Sequence, residues 1–289
     1  MSSFDRKSCF AVPSWGQQTS IRALGCLMLL FALTICPRAL GGEECCATMA
    51  KMSRIRAGQY TPLFRNEKEP RTVAVKSFLL DVFPVTNSDF LEFVRANPKW
   101  RRSQVKRLFA DNDYLRLWSA DLELGTNITA NAPVTCVSWF AAKAYCTWKG
   151  KRLPTTAEWE YVAAASSTRA DGGSDPEFIR EVRAWYATPA PEQLRSVGQG
   201  HANFFGIHDL HGLVWEWVAD FNTAIVTGDA RGDTGLNREL FCGSGSEGAK
   251  DRSDFPAFMR YGFRSSLNAN YTVHNLGFRG ARDLNERMP

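Results

Sequence analysis

Gly150-Lys151-Arg152-Leu153-Pro154-Thr155-Thr156-Ala157-Glu158-Trp159-Glu160-Tyr161 carries more structural information than any other run of this 289-residue chain. Its first residue suits the end of a helix, because glycine enters the left-handed conformation without steric cost. The helix it closes is capped at Ser138 and sets Trp139, Ala142 and Cys146 on one face. Thr155 to Glu158 reads as a capping box: the threonine oxygen accepts the amide of residue 158, and the carboxylate reaches back to the cap. Trp159 and Val162 then point inward, so two short helices meet across one turn.

Upstream, residues 43 to 85 read as strands and turns. Val73 to Asp81 alternates at first and then becomes continuously apolar. Thr86 caps a helix, with Asp89 in its first turn and Phe90, Phe93 and Val94 on one face. Residues 97 to 133 form a connecting region, basic and then acidic. Its cluster Lys99, Arg101, Arg102, Lys106 and Arg107 is interrupted by Trp100 and Val105, and we read it as the solvated face of a helix rather than a nucleic-acid patch. Beyond Val182 the chain turns rich in Gly, Asn, Asp and aromatic residues, with no long helical period, which predicts a loop-heavy half held by buried rings. An apolar content of 44% supports one large core and excludes disorder for most of the chain. The net charge of +5 is spread along the whole chain, and no nucleic-acid partner is expected.

The N-terminus predicts export. Arg6, Lys7 and Arg22 precede an apolar run from Ala23 to Ile35, stopped by Pro37 and followed by Ala39, Gly41 and Gly42. A basic region, a short apolar run and small residues describe a secretory signal, here residues 1–41. The run falls short of the ~20 residues of a bilayer span, so no stable membrane span is expected after cleavage. The mature domain is then 42–289, in the periplasm. Its cysteines are Cys45, Cys46, Cys136, Cys146 and Cys242, an odd number that cannot all pair within one chain.

Four blocks in fixed order carry a resemblance: Phe78 to Asn87, Pro133 to Tyr161, Asn203 to Trp217, and Asn275-Leu276-Gly277-Phe278-Arg279. Over roughly residues 50 to 283 the sequence resembles the formylglycine-generating enzyme, or sulfatase-modifying factor, family. The resemblance implies an α+β fold related to C-type lectins, with little regular secondary structure and many loops. It also implies copper(I) held by two cysteines that support oxidation of a substrate cysteine by oxygen, although relatives span several chemistries and the fold does not fix the reaction.

At that copper pair the sequence departs from the family. Counted back from Asn275, the matching positions are Asp251 and Pro256. Copper(I) is soft and prefers thiolates, so neither residue replaces the pair and copper is not expected. A shifted register through Cys242-Gly243-Ser244 offers Glu247, no better a ligand. Cys242 is the only cysteine of this glycine-rich region and the one candidate catalytic thiol; a disulfide with Cys45 or Cys46 is the plainer reading. Cys146 occupies a position that in the family pairs with a cysteine just after the Gly-Phe-Arg block, here Gly280, which leaves another partner or a buried free thiol.

The resemblance further implies a calcium site built from the backbone at Gly212 and Val214 and the carboxylate of Glu216, oxygen ligands suited to a hard ion. Leu213 stands where an asparagine is usual. Asp251, Arg260 and Arg264 are candidate pocket residues, and Arg279 matches a family arginine that bridges carbonyls and carboxylates. His208 and His211 lie three apart on a turn, where that spacing does not guarantee a shared metal.

Among exported relatives the chain is most similar to accessory proteins encoded beside copper nitrite reductases. The expected function is an accessory or maturation factor for a periplasmic redox enzyme, with a peptide or protein partner. The alternatives are an oxidoreductase using Cys242 with Cys45 or Cys46, and a lectin-like glycan binder.

Overall fold

A computed structural model describes residues 51–63, 70–222 and 255–284. The region from Val73 to Asp81, read as one run, divides at Lys76-Ser77 into two strands of different sheets. β1 (Met52–Ile55) pairs antiparallel with β4 (Phe78–Asp81), whose other edge takes β9 (Ala281–Asp283). β2 (Gly58–Tyr60) and β3 (Val73–Val75) form a separate ribbon. The division explains the change in pattern. β4 is the central strand of its sheet and its Phe78, Leu80 and Asp81 are buried, so it needs no polar alternation, whereas Val73 and Ala74 of β3 stay exposed.

The predicted caps form. Thr86 closes a capping box with Asp89 at the start of α1 (Asn87–Ala96), whose Phe90, Phe93 and Val94 are buried. Ser138 caps α2 (Trp139–Trp148), and Gly150 follows with φ of 64°. Thr155 and Glu158 cap α3 (Thr156–Ala163) reciprocally. Arg152 adds both guanidinium nitrogens to Glu158 at 2.7 Å each, so one carboxylate closes the cap and anchors the turn before it. Around Phe90 the rings of Phe93, Trp118, Tyr145 and Phe278 lie 5.2–6.4 Å away, the aromatic centre of the core.

Two expectations need correction. Of the basic residues 99–107, Lys99 lies in a single 3-10 turn (Pro98–Trp100) and the others follow it on bends and turns, not on a helix. The turns are pinned by their own side chains: Arg102 donates to the Trp118 carbonyl, and Asp121 accepts the amide and hydroxyl of Ser103. The connecting region also contains strands, β5 (Trp118–Ala120) and β6 (Glu123–Leu124). The half beyond Val182 is less irregular than its composition suggests: α4 (Pro176–Ala187), from an Asp175 cap, runs across Val182 into it, and α5 (Phe255–Ser265) begins with proline in its first turn. Between these helices β7 (Trp215–Trp217) runs parallel to β8 (Leu276–Phe278). Among the described residues no helix is long and apolar enough to cross a membrane.

Candidate functional site

Helices α3 and α5 meet through charge. Glu160 follows Trp159 on α3, and Arg260 and Arg264, one helical turn apart on α5, share a face toward it. Arg260 donates from Nε at 2.9 and 3.0 Å and from Nη2 at 2.7 Å, and Arg264 adds Nη1 at 2.5 Å. Arg260 also donates to the Tyr186 hydroxyl at 3.2 Å. Both guanidinium groups lie over the Trp159 ring, at 5.6 and 4.9 Å from its centre. Burial pushes the Glu160 carboxyl up, but the two cations and their hydrogen bonds outweigh it and hold the group at about 2. The predicted pocket residues Arg260 and Arg264 are thus together and committed to one carboxylate. The cavity beside them, about 10 Å³, holds a water at most.

A second ion pair meets the indole nitrogen of Trp159. Glu216, the middle residue of β7, accepts Arg279 Nε at 2.8 and 3.0 Å, Nη2 at 2.7 Å and the Trp159 indole at 2.7 Å. The remaining Arg279 hydrogens reach the carbonyls of Asp81, Val82 and His208, so this fully buried arginine ties β7, the residues following β4, and the 208–212 turn to the end of β8.

This geometry bears on calcium. Gly212 has φ of 96°, and its carbonyl lies 3.5 Å from Arg195 Nη2, which also donates to the buried Asp209 at 2.9 Å. Glu216 spends both oxygens on Arg279 and Trp159. Two of the three predicted ligands therefore face a guanidinium, and a calcium ion would have to displace or share with a cation already hydrogen-bonded there. The residues present do not fit the ion.

Cys45, Cys46, Cys242 and Asp251 lie outside the described residues, as does the predicted signal, so the structure brings none of them to a site. Pro256 is buried in the first turn of α5. Cys146, for which another partner or a buried free thiol was open, is a free cysteine wholly buried on α2, and burial raises its thiol far above the range of a thiolate at neutral pH. Its family partner cannot simply be restored. A Cβ at Gly280 would fall 2.7 Å from Asp81 Oδ2 and 2.7 Å from Lys151 Cδ, two groups that form a buried ion pair. Cys136 is likewise free and buried, its thiol pushed up to about 11 by desolvation.

His208 and His211 diverge. His208 bonds through Nδ1 to the Gly200 carbonyl and packs on Phe83, whereas His211 Nε2 lies 2.9 Å from the Ala163 carbonyl. Phe178, Trp185 and Tyr186 of α4, together with Trp159, surround His211 at 5.9–6.2 Å between ring centres. Burial, with the nearby Arg260 charge, lowers this imidazole to about 4. The contribution of α4 was not anticipated. Its signal is nonetheless present, in an Asp175-Pro176 start followed by Phe178, Val182 and Trp185 spaced by four and three residues.

Comparison with known proteins agrees with these blocks. The sulfatase-modifying factor enzyme 1-like domain matches residues 38–284. Inactive C-alpha-formylglycine-generating enzyme 2 of Bos taurus is 33% identical over 203 residues, 57% of this chain and 67% of that protein. Formylglycine-generating enzyme of Mus musculus is 28% identical over 81% of this chain and 76% of its own length. The solved structure of PvdO from Pseudomonas aeruginosa gives a TM-score of 0.41 at 21% identity, covering 81% of this chain and 94% of that one. With a family match across most of its length, and with its shared blocks assembled around Trp159, Glu216 and Arg279, this chain belongs to the sulfatase-modifying factor family.

Proposed function

We propose that this chain is an exported, non-oxidising member of its family that binds a peptide or protein partner in the periplasm and serves the maturation of a redox enzyme, such as a copper nitrite reductase. The observation that carries this reading is the loss of sulfur at the copper positions, where Asp251 and Pro256 stand. The two described thiols offer no replacement, since both are buried and held protonated by desolvation. A relative bearing the name of an inactive formylglycine-generating enzyme is in keeping with loss of the oxidase chemistry on this fold. Residues 1–41 supply the export signal in this reading.

The test is oxygen uptake by the purified chain supplied with copper(I) and a cysteine-containing peptide. The expected result is a rate equal to that of free copper, with the peptide thiol unchanged. Uptake matched to consumption of the peptide thiol would overturn the proposal. It would favour instead an oxidoreductase centred on Cys242 with Cys45 or Cys46, for which copper-dependent protection of those thiols from alkylation is the signature. A role for the copper enzyme as partner is read separately, by whether it is captured in its metal-free form by the immobilised chain.

A further inference from the structure

The basic cluster 99–107 adjoins apolar side chains that reach the surface. Arg107-Leu108-Phe109 form a turn closed by the Phe109 amide on the Lys106 carbonyl at 2.8 Å, and Leu108 within it is 73% exposed. Helix α2 supplies the neighbouring surface. Its Ala141, Ala142, Tyr145 and Cys146 are buried, so Phe140, Lys143, Ala144 and Trp148, spaced by three and four residues, share the outward face. Aromatic rings join turn and helix. Phe109 lies edge-on to Phe140 at 5.4 Å and to Trp100 at 6.1 Å, and Phe93 bridges Trp100 at 6.2 Å to Trp148 at 5.6 Å. Phe93 and Trp100 are buried, whereas Phe109 and Trp148 are 36% and 40% exposed. The outer rings of one cluster therefore come to the surface beside Leu108.

The charge around this face is mainly positive. Between Arg95 and Leu117 seven arginines and lysines stand against two acids, Asp111 and Asp113. Asp111 accepts the Thr272 amide and hydroxyl, and Asp113 meets Arg116 at 3.6 Å. Helix α2 adds Lys143 and no acid, and Glu92 of α1 is met by Lys149 at 3.2 Å. Nucleic acid would use the cations and leave Leu108 in water. A peptide groove would shelter its apolar side chains, and these residues line neither of the two cavities of about 10 and 580 Å³. Exposed leucine, phenylalanine and tryptophan among lysines and arginines suit an anionic lipid interface: apolar tips enter the acyl boundary while the cations stay with the phosphates.

We infer that Leu108, Phe109, Phe140 and Trp148, with the cations around them, form a peripheral docking surface for an anionic bilayer. Contact of this kind is reversible and asks for no spanning helix. It goes beyond the partner and redox readings above and rests on neither.

The experiment mixes the full chain with vesicles of phosphatidylglycerol and phosphatidylcholine, or of phosphatidylcholine alone, and follows amide hydrogen exchange by segment. Because exchange locates the contact, attachment through the apolar run 23–35 is not mistaken for it. Exchange of residues 106–110 is expected to slow about fivefold or more on the anionic vesicles and to be unchanged on the neutral ones. The lipid concentration giving half of that slowing is expected to rise about tenfold or more in Leu108→Ser, and likewise in Lys106→Glu/Arg107→Glu. All three positions are exposed, so the variants leave the core intact. Polyglutamate without lipid is expected to leave residues 106–110 unprotected. No slowing on anionic vesicles, equal slowing on neutral ones, or variants as sensitive to lipid as wild type would each overturn the inference. Protection by polyglutamate equal to that by vesicles would overturn it as well, and would assign the face to an acidic protein. None of these outcomes touches the non-oxidising assignment, which is read from oxygen uptake.

Discussion

Substituting Glu160→Gln should be among the most costly single changes in the described core. It leaves two guanidinium groups, on side chains 10% and 7% exposed, facing an amide that cannot neutralise either. Removing one partner of a buried ion pair costs about 3–5 kcal/mol. An independent route gives a similar size. The folded carboxyl sits at about 2 against an ordinary value of 4.5, and a fall of about 2.5 units at ~1.36 kcal/mol per unit corresponds to roughly 3 kcal/mol. Because the folded value is depressed, this stability is fully present above pH 4.5 and is lost as pH falls toward 2. Urea unfolding of wild type and variant, followed by tryptophan fluorescence between pH 7 and pH 3, separates the effect from other titrations, since groups common to both proteins cancel in the difference. The gap should be widest at neutral pH and should narrow steadily below about pH 4.5. A gap under about 1 kcal/mol at pH 7, or one that does not change on acidification, would refute the assignment of Glu160 as the shared counter-ion of Arg260 and Arg264.

Three further outcomes are expected. His211, lowered from 6.5 to about 4, stays neutral in the fold while the unfolded chain takes up a proton. Stability should therefore fall by roughly 3 kcal/mol as pH drops from 6.5 to 4, and this component should vanish in His211→Asn; an unchanged profile in that variant would show that the ring titrates normally. The melting temperature should be the same in calcium and in chelator, because guanidinium groups already face Gly212 and Glu216; a calcium-dependent rise would return the ion to that turn. Gly277→Ala should destabilise by about 1–3 kcal/mol, because the added Cβ would lie 2.8 Å from the Val134 carbonyl, a backbone atom that cannot rotate away. A variant as stable as wild type in urea would mean that β8 can shift from its place.

What could be read from the sequence was whatever depends on near neighbours along the chain. The caps at Thr86, Ser138 and Thr155 form because each motif closes on itself within three residues. The break at Lys76-Ser77 could not be read that way, since it depends on β4 being sandwiched between β1 and β9, and β9 is contributed by the far end of the chain. The basic cluster 99–107 failed for a related reason. Charge spacing suggested one helical face, but the cap on Asp121 and the bond to the Trp118 carbonyl fix turns. At the site, residue types in the family blocks were recognisable while their pairing was not. Nothing local tells Arg279 to choose Glu216 and leave Glu160 to α5, nor brings Arg195 to Asp209. The aromatic enclosure of His211 was missed because α4 straddles Val182, beyond which the composition reads as loop, although its cap and apolar spacing mark a helix.

The central strand of the three-stranded sheet reaches its second neighbour only through the last described strand: Leu80 lies opposite Ala281, and Phe78 opposite Asp283. A chain emerging from the ribosome in order therefore holds Phe78 and Leu80 without their far-side cover until Ala281 to Asp283 have followed. Closure of so long a loop comes late and slowly. A chain cut before Ala281 would lose the very strand on which that closure depends.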